Sequence, residues 1–140
     1  MKDTKISVFK DLYKSKEVPF IIPLEKSLER IRVGKSKDII EFARDGKDKE
    51  EYNKRKSKLP CIVFAGEFKD RSKKGLINHS GLMVIDFDGY ENDDIMLESF
   101  NEIKKNKHLI TLFISPSNKG LKGVIKIPSC NAIDHEKYFK

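Results

Sequence analysis

The stretch Leu82-Met83-Val84-Ile85-Asp86-Phe87-Asp88-Gly89 restricts most strongly what this chain can become. Four consecutive apolar residues predict a strand buried on both faces, and the stretch turns acidic where it ends. Residues two apart in a strand project to the same side, about 6.6 Å from one another. Asp86 and Asp88 therefore share a face, with Ile85 and Phe87 expected to turn toward the core. Side by side, two carboxylates repel, so the arrangement calls for a cation. Hard oxygen donors suit Mg²⁺ or Mn²⁺, which complete their shells with water and substrate phosphates. Such sites serve phosphoryl and nucleotidyl transfer, where metals about 4 Å apart activate the attacking oxygen and neutralise the leaving group. An ordinary surface turn would also use Asp and Gly. The buried strand that delivers the acids favours the metal reading, with Asp86 and Asp88 as catalytic and metal-binding residues.

A second feature lies some thirty residues on. Ser115-Pro116-Ser117-Asn118-Lys119-Gly120-Leu121-Lys122 joins two apolar runs, Leu109 to Ile114 and Gly123 to Ile127, that read as strands of a hairpin. Hydroxyls and backbone N–H groups in such a turn can hold phosphate oxygens, and Lys122 can add a point charge. A Walker A loop is excluded, because the GxxxxGK[ST] pattern is absent. A plain hairpin turn is the bland alternative.

Around these features the chain alternates short elements. Lys5 to Phe9 predicts a strand, and Lys10 to Lys16 a polar turn. Leu24, Leu28 and Ile31 predict a helix between Pro23 and Gly34. A second helix follows from Ser36 as N-cap, with Ile39, Ile40 and Phe42 as its buried patch and Gly46 past its end. Lys47 to Lys58 carries six basic and three acidic residues around Tyr52 and reads as a solvated helix, with a phosphate-facing arm as the alternative. Cys61 to Ala65 predicts a buried strand, with Cys61 as a small hydrophobe. Lys69, Arg71, Lys73 and Lys74 fall in a basic loop. Asp93 and Asp94 precede a helix over Ile95 to Lys105, with Ile95, Phe100 and Ile103 inward. Asn131 or Asp134 caps a last helix bearing His135, Tyr138 and Phe139. The expected fold class is α/β (α+β), with a mostly antiparallel sheet packed against helices.

Of the 140 residues, 38% are hydrophobic and 36% charged, enough for one core and a single domain over 1–140. The net charge of +7 attracts polyanions. Cys61 and Cys130 stand far apart without CxxC spacing, and His79, His108 and His135 lack metal-ligand spacing, so these residues are expected to be structural or on the surface. No apolar run approaches the ~20 residues that cross a bilayer, and no secretory segment opens the chain, so no membrane partner and a cytoplasmic location are expected.

The run Ser80 to Asp88, followed by Phe113-Ile114-Ser115-Pro116-Ser117 and Gly120-Leu121-Lys122, resembles the first two motifs of the archaeo-eukaryotic primase superfamily. Within it the chain is most similar to the branch of phages and mobile elements labelled the VirE N-terminal domain. Leu59-Pro60, Gly66, Arg71, His135 and Phe139 fit that branch as well. The resemblance implies an RRM-like palm that makes primers from nucleoside triphosphates on a single-stranded template during DNA replication, with a helicase or other replication protein as a further partner. It makes Asp86 and Asp88 the ligands of Mg²⁺ or Mn²⁺, and Ser115, Ser117 and Lys122 the nucleotide contacts. Asn118 stands where that branch commonly has Gly, and Lys122 where many primase-polymerases have His. A third acidic residue on a later strand belongs to the superfamily. The chain is thus expected to be the N-terminal part of a primase-polymerase domain, with weak metal and nucleotide binding by itself. Two other functions fit parts of the pattern. A non-catalytic module could bind single-stranded nucleic acid or a replication protein through Lys69, Arg71, Lys73 and Lys74. A haloacid dehalogenase-type phosphohydrolase would use Asp86 as nucleophile, although Tyr90 follows the DxDG and a parallel sheet would be required.

Overall fold

The computed structural model describes residues 3–11 and 16–138. The expected turn at Lys10 to Lys16 lies partly outside these residues, and Phe139 wholly outside. Strand β1 (Lys5–Phe9) forms as its alternation predicts, but between two neighbours, antiparallel to β2 (Phe20–Pro23) and to β3 (Cys61–Val63). A central strand is covered on both faces, so Ile6 and Ser7 are both fully buried. A hairpin of β4 (Gly66–Phe68) and β5 (Leu76–His79) follows, with the basic loop as its connection. The third sheet holds β6 (Leu82–Phe87), β7 (Leu109–Ile114) and β8 (Leu121–Lys126) in the order β6-β8-β7. Every pairing is antiparallel. With helices α1 (Leu24–Arg32), α2 (Lys37–Arg44), α3 (Lys49–Lys56), α4 (Asp93–Ile103) and α5 (Ala132–Lys137), the fold is mixed α+β. Among the described residues no helix is long and apolar enough to cross a membrane.

One core ties the first and third sheets together. Ile6, Leu24, Phe64, Leu82 and Val124 are buried against one another, and Leu28, Ile31, Ile62 and Val84 pack on them. Spacing in α1 thus points inward as expected. The face of β6 that meets this core carries Leu82 and Val84. Ile85 and Phe87 were expected to face the core; they instead line a smaller hollow on the opposite side, with Ile103 and Leu109. The Ser7 hydroxyl bridges the first two sheets: Ser7 Oγ donates to Gly66 O at 2.9 Å and accepts from Phe68 N–H at 2.8 Å.

Other expectations shift by one position. In α2 the buried residue is Ala43, while Phe42 is half exposed beneath the Arg55 guanidinium, 4.1 Å from its ring centre. In α4 Met96 is buried and Ile95 is exposed, because Asn92 caps the helix by accepting from Ile95 N–H and so starts it at Asp93. Cys61 is only half-buried, since it lies near the end of its sheet with the Arg71 guanidinium 3.4 Å from its sulfur. Gly46 turns the corner between α2 and α3 so tightly that a β-carbon there would lie 2.8 Å from Tyr52 N.

Candidate functional site

Strand β6 leaves the core along one face. Leu82 is buried, Val84 half-buried and Asp86 exposed, and Asp88 follows one residue past the strand. Antiparallel register sets Lys122 of β8 opposite Asp86, and the Lys122 ammonium lies 2.7 Å from Asp86 Oδ1. Directly opposed residues on one face meet in this way. Both side chains are partly exposed, 32% for Lys122 and 55% for Asp86, which limits the pair to about 0–1 kcal/mol of stability. Its chemical meaning is that the carboxylate already accepts a cation.

The end of β6 also meets the turn between β7 and β8. A β-carbon on Gly120 would lie 2.5 Å from Asp88 Oδ1, 2.8 Å from Phe87 O and 3.5 Å from Ser115 Oγ. Asp88 and Ser115 therefore flank one glycine, and only the missing side chain lets the strand end pass there. Within the turn Ser115 N–H donates to Gly120 O and Asn118 N–H to Ser115 O, each at 2.9 Å. Asn118 adopts φ of 63°, the left-handed conformation that Asn, like Gly, tolerates. The Ser115 and Ser117 hydroxyls are 3.0 Å apart and share a hydrogen bond.

The N-terminal helices reach this turn. Arg44 Nε, at the end of α2, donates to Pro116 O at 2.8 Å. The Tyr52 hydroxyl of α3 is buried without a hydrogen bond of good geometry. Burial raises its pKa, while the neighbouring Ser117 hydroxyl and the Arg44 charge pull the other way. Between helices and sheets lies a cavity of about 680 Å³ whose polar wall includes Arg30, Arg44, Lys56, Lys122 and Ser115. Ile31, Ile62, Phe64, Val84 and Phe113 form its apolar surface. Among the described residues no Asp or Glu lines it. Sequence reading brought out Asp86, Asp88, Ser115, Ser117 and Lys122 but missed Arg44 and Arg30. Their only local signal was basic residues in the last turns of α1 and α2.

The basic loop divides. Arg71 is half-buried and directs Nη1 to Cys61 Sγ, and Lys73 Nζ bonds Glu136 of α5 at 2.6 Å. Lys69 and Lys74 stand exposed.

A second group of reactive side chains was not expected. His79, Cys130 and His135 converge from β5, the loop before α5, and α5, with ligand atoms all within 4.8 Å of one another. Two His and a Cys are donors that zinc accepts. The hydrogen bonds, however, close the group on itself. His79 Nδ1 accepts from Gly81 N–H at 2.9 Å, so the neutral ring carries its proton on Nε2. That proton points to His135 Nδ1 at 2.8 Å. Burial lowers the pKa of both rings, helped at His79 by the His135 charge and opposed at His135 by Glu136. Burial and then Asp134 raise that of Cys130, which keeps its thiol protonated. His108 is exposed and apart from the group.

The sequence model of a family described as "BT4734-like, N-terminal domain" matches residues 54–137. This chain belongs to that family. No curated protein and no solved structure matches the chain. The matched segment contains β6, the Ser115–Asn118 turn and β8, whereas Arg44 and Tyr52 precede it. The phosphohydrolase alternative loses ground on topology, since it needs its DxDG strand in a parallel sheet. Among the described residues β6 pairs only with β8, and antiparallel.

Proposed function

We propose that this domain is the palm of a cytoplasmic primase-polymerase, an RRM-like scaffold that transfers nucleotides from nucleoside triphosphates along a single-stranded template. The observation that carries this reading is a convergence. Asp86 paired with Lys122, and Asp88 set against Gly120 and Ser115, meet beside a cavity with cationic side chains and no acidic ones. Asp86 and Asp88 fit a hard divalent cation, because both are exposed carboxylates on one face and Asp86 already accepts the charge of an ammonium. Mg²⁺ or Mn²⁺ held by Asp86 and Asp88 would supply neutralisation of phosphate charge and activation of the attacking hydroxyl. Lys122 provides a point charge for a phosphate oxygen. Ser115 and Ser117 donate hydroxyl hydrogen bonds to the same chain of phosphates, and the αL turn at Asn118 fixes their spacing. Exposed Lys69 and Lys74 suit the backbone of a template strand.

The test is binding of a fluorescent ATP analogue to the full chain with Mn²⁺ or with EDTA. Metal-dependent binding is expected, lost when Asp86→Asn and Asp88→Asn are combined. Binding that ignores both EDTA and the double variant would overturn the reading. Retained, salt-sensitive affinity for a single strand alone would point to the non-catalytic module instead.

A further inference from the structure

The cavity's charge is one-sided, and the side chain that links it to the Ser115–Asn118 turn comes from outside the segment that the family shares. Arg44 closes α2 and lines the cavity together with Ser115, Pro116 and Lys122. A guanidinium has five N–H donors in a planar fork. Arg44 spends Nε on Pro116 O, and its terminal nitrogens make no hydrogen bond or ion pair with the described residues. The neighbouring Tyr52 oxygen, close enough for the Arg44 charge to act on it, is buried and also without a good partner. An arginine anchored by one nitrogen beside two serine hydroxyls and a lysine is oriented before any ligand arrives. That is the condition under which planar, two-pronged recognition of phosphate is strongest.

The occupant follows from the walls. Among the described residues only Lys122 of the cationic lining pairs with an acid, Asp86, so Arg30, Arg44 and Lys56 leave charge for an anion, while Ile62, Val84 and Phe113 offer apolar surface to an uncharged body. A nucleotide has both parts. We propose that Arg44 contacts the phosphate chain of a nucleoside triphosphate and at the same time positions the Ser115–Asn118 turn against it, so that the α2–α3 corner is part of the nucleotide site. The inference rests on the nucleotidyl-transfer reading above and adds to it a phosphate contact from the N-terminal helices.

The experiment measures Mn²⁺-dependent affinity for ATP, and by ligand-observed NMR the weaker affinity for adenosine, in the full chain and in Arg44→Ala and Arg44→Lys. Thermal melts confirm that each variant folds. Losing a hydrogen bond to a charged group predicts a drop of roughly ten- to hundredfold for ATP in Arg44→Ala. A smaller drop is expected in Arg44→Lys, and adenosine binding should stay unchanged in both. Equal losses for ATP and adenosine would mean that Arg44 only supports the turn, and the proposed phosphate contact would be wrong. Undiminished ATP binding in both variants, alongside loss in the Asp86→Asn/Asp88→Asn protein, would overturn this inference and leave the nucleotidyl-transfer reading standing. If the wild-type chain binds no ATP, both fall together.

Discussion

Two groups of reactive side chains occupy this domain, and they differ in what they leave unsatisfied. At the end of β6, Asp86, Asp88, Ser115 and Lys122 are held by strand register and a glycine contact, and Ser115 and Lys122 line a cationic cavity. At the junction of β5 and α5, His79, Cys130 and His135 bring ligand atoms within 4.8 Å of one another, yet both ring nitrogens of His79 face inward to partners within the protein. Chemical type alone would rank the His and Cys group first as a metal centre. Satisfaction ranks it second. A set of donors becomes a site when charge and hydrogen-bonding capacity are left over for a ligand, and a clasp when they are consumed internally.

The largest effect should come from Gly120→Ala. The new β-carbon meets Phe87 O and Asp88 Oδ1 at 2.8 and 2.5 Å, and the backbone carbonyl cannot swing away as a flexible side chain would. A loss of about 1–3 kcal/mol is expected, seen as a lower midpoint in urea, together with loss of ATP-analogue binding. A substitution that left both unchanged would show that the strand end and the turn are not coupled. Next comes Lys122→Met. Stability should move by less than about 1 kcal/mol, since both side chains of the pair are partly exposed. Affinity for Mn²⁺ alone should rise because the competing ammonium is gone, while affinity for ATP with Mn²⁺ should fall roughly tenfold. Calorimetry of the two ligands reads these opposite signs.

The clasp is tested by pH. Both histidines have folded pKa values below the ordinary 6.5, so the unfolded chain binds more protons as pH drops through that value. Stability from the clasp is complete above pH 6.5 and declines below it, toward the lowered folded values. The melting temperature should fall over that acidic range in wild type and fall less in His135→Gln, which cannot be protonated. An identical pH profile in the two proteins would remove the clasp from the account. The smallest expected effect is none at all. Titrating Co²⁺ should produce no thiolate-to-cobalt absorption, because His79 commits Nδ1 to Gly81 N–H and Nε2 to His135. Appearance of that band would turn the clasp into a metal centre and reverse the ranking of the two groups.

What could be read from the sequence follows the same division. Local rules sufficed where neighbours in sequence do the work: the spacing of Leu24, Leu28 and Ile31 in α1, and a cap before α5 at Asn131, one of the two residues that the sequence offered. The β7–β8 hairpin sets Lys122 opposite Phe113, whereas its place beside Asp86 comes from the pairing of β8 with β6, 36 positions away. Arg44 to Pro116 spans 72 positions and His79 to His135 spans 56, and nothing local announces either partner. The face of β6 was assigned wrongly for a related reason. Alternation tells which residues share a side, but only the packing of a distant layer decides which side is inward.

Ser7 holds one more lesson. Its hydroxyl is the seam between β1 and the hairpin β4–β5, at a place where no backbone ladder continues from one sheet to the other. The seam joins positions 59 and 61 residues apart, and the antiparallel pairing of Ser7 with Val63 brings them within reach. This hydroxyl thereby ties the placement of the β4–β5 hairpin and its basic loop to the opening strand of the described fold.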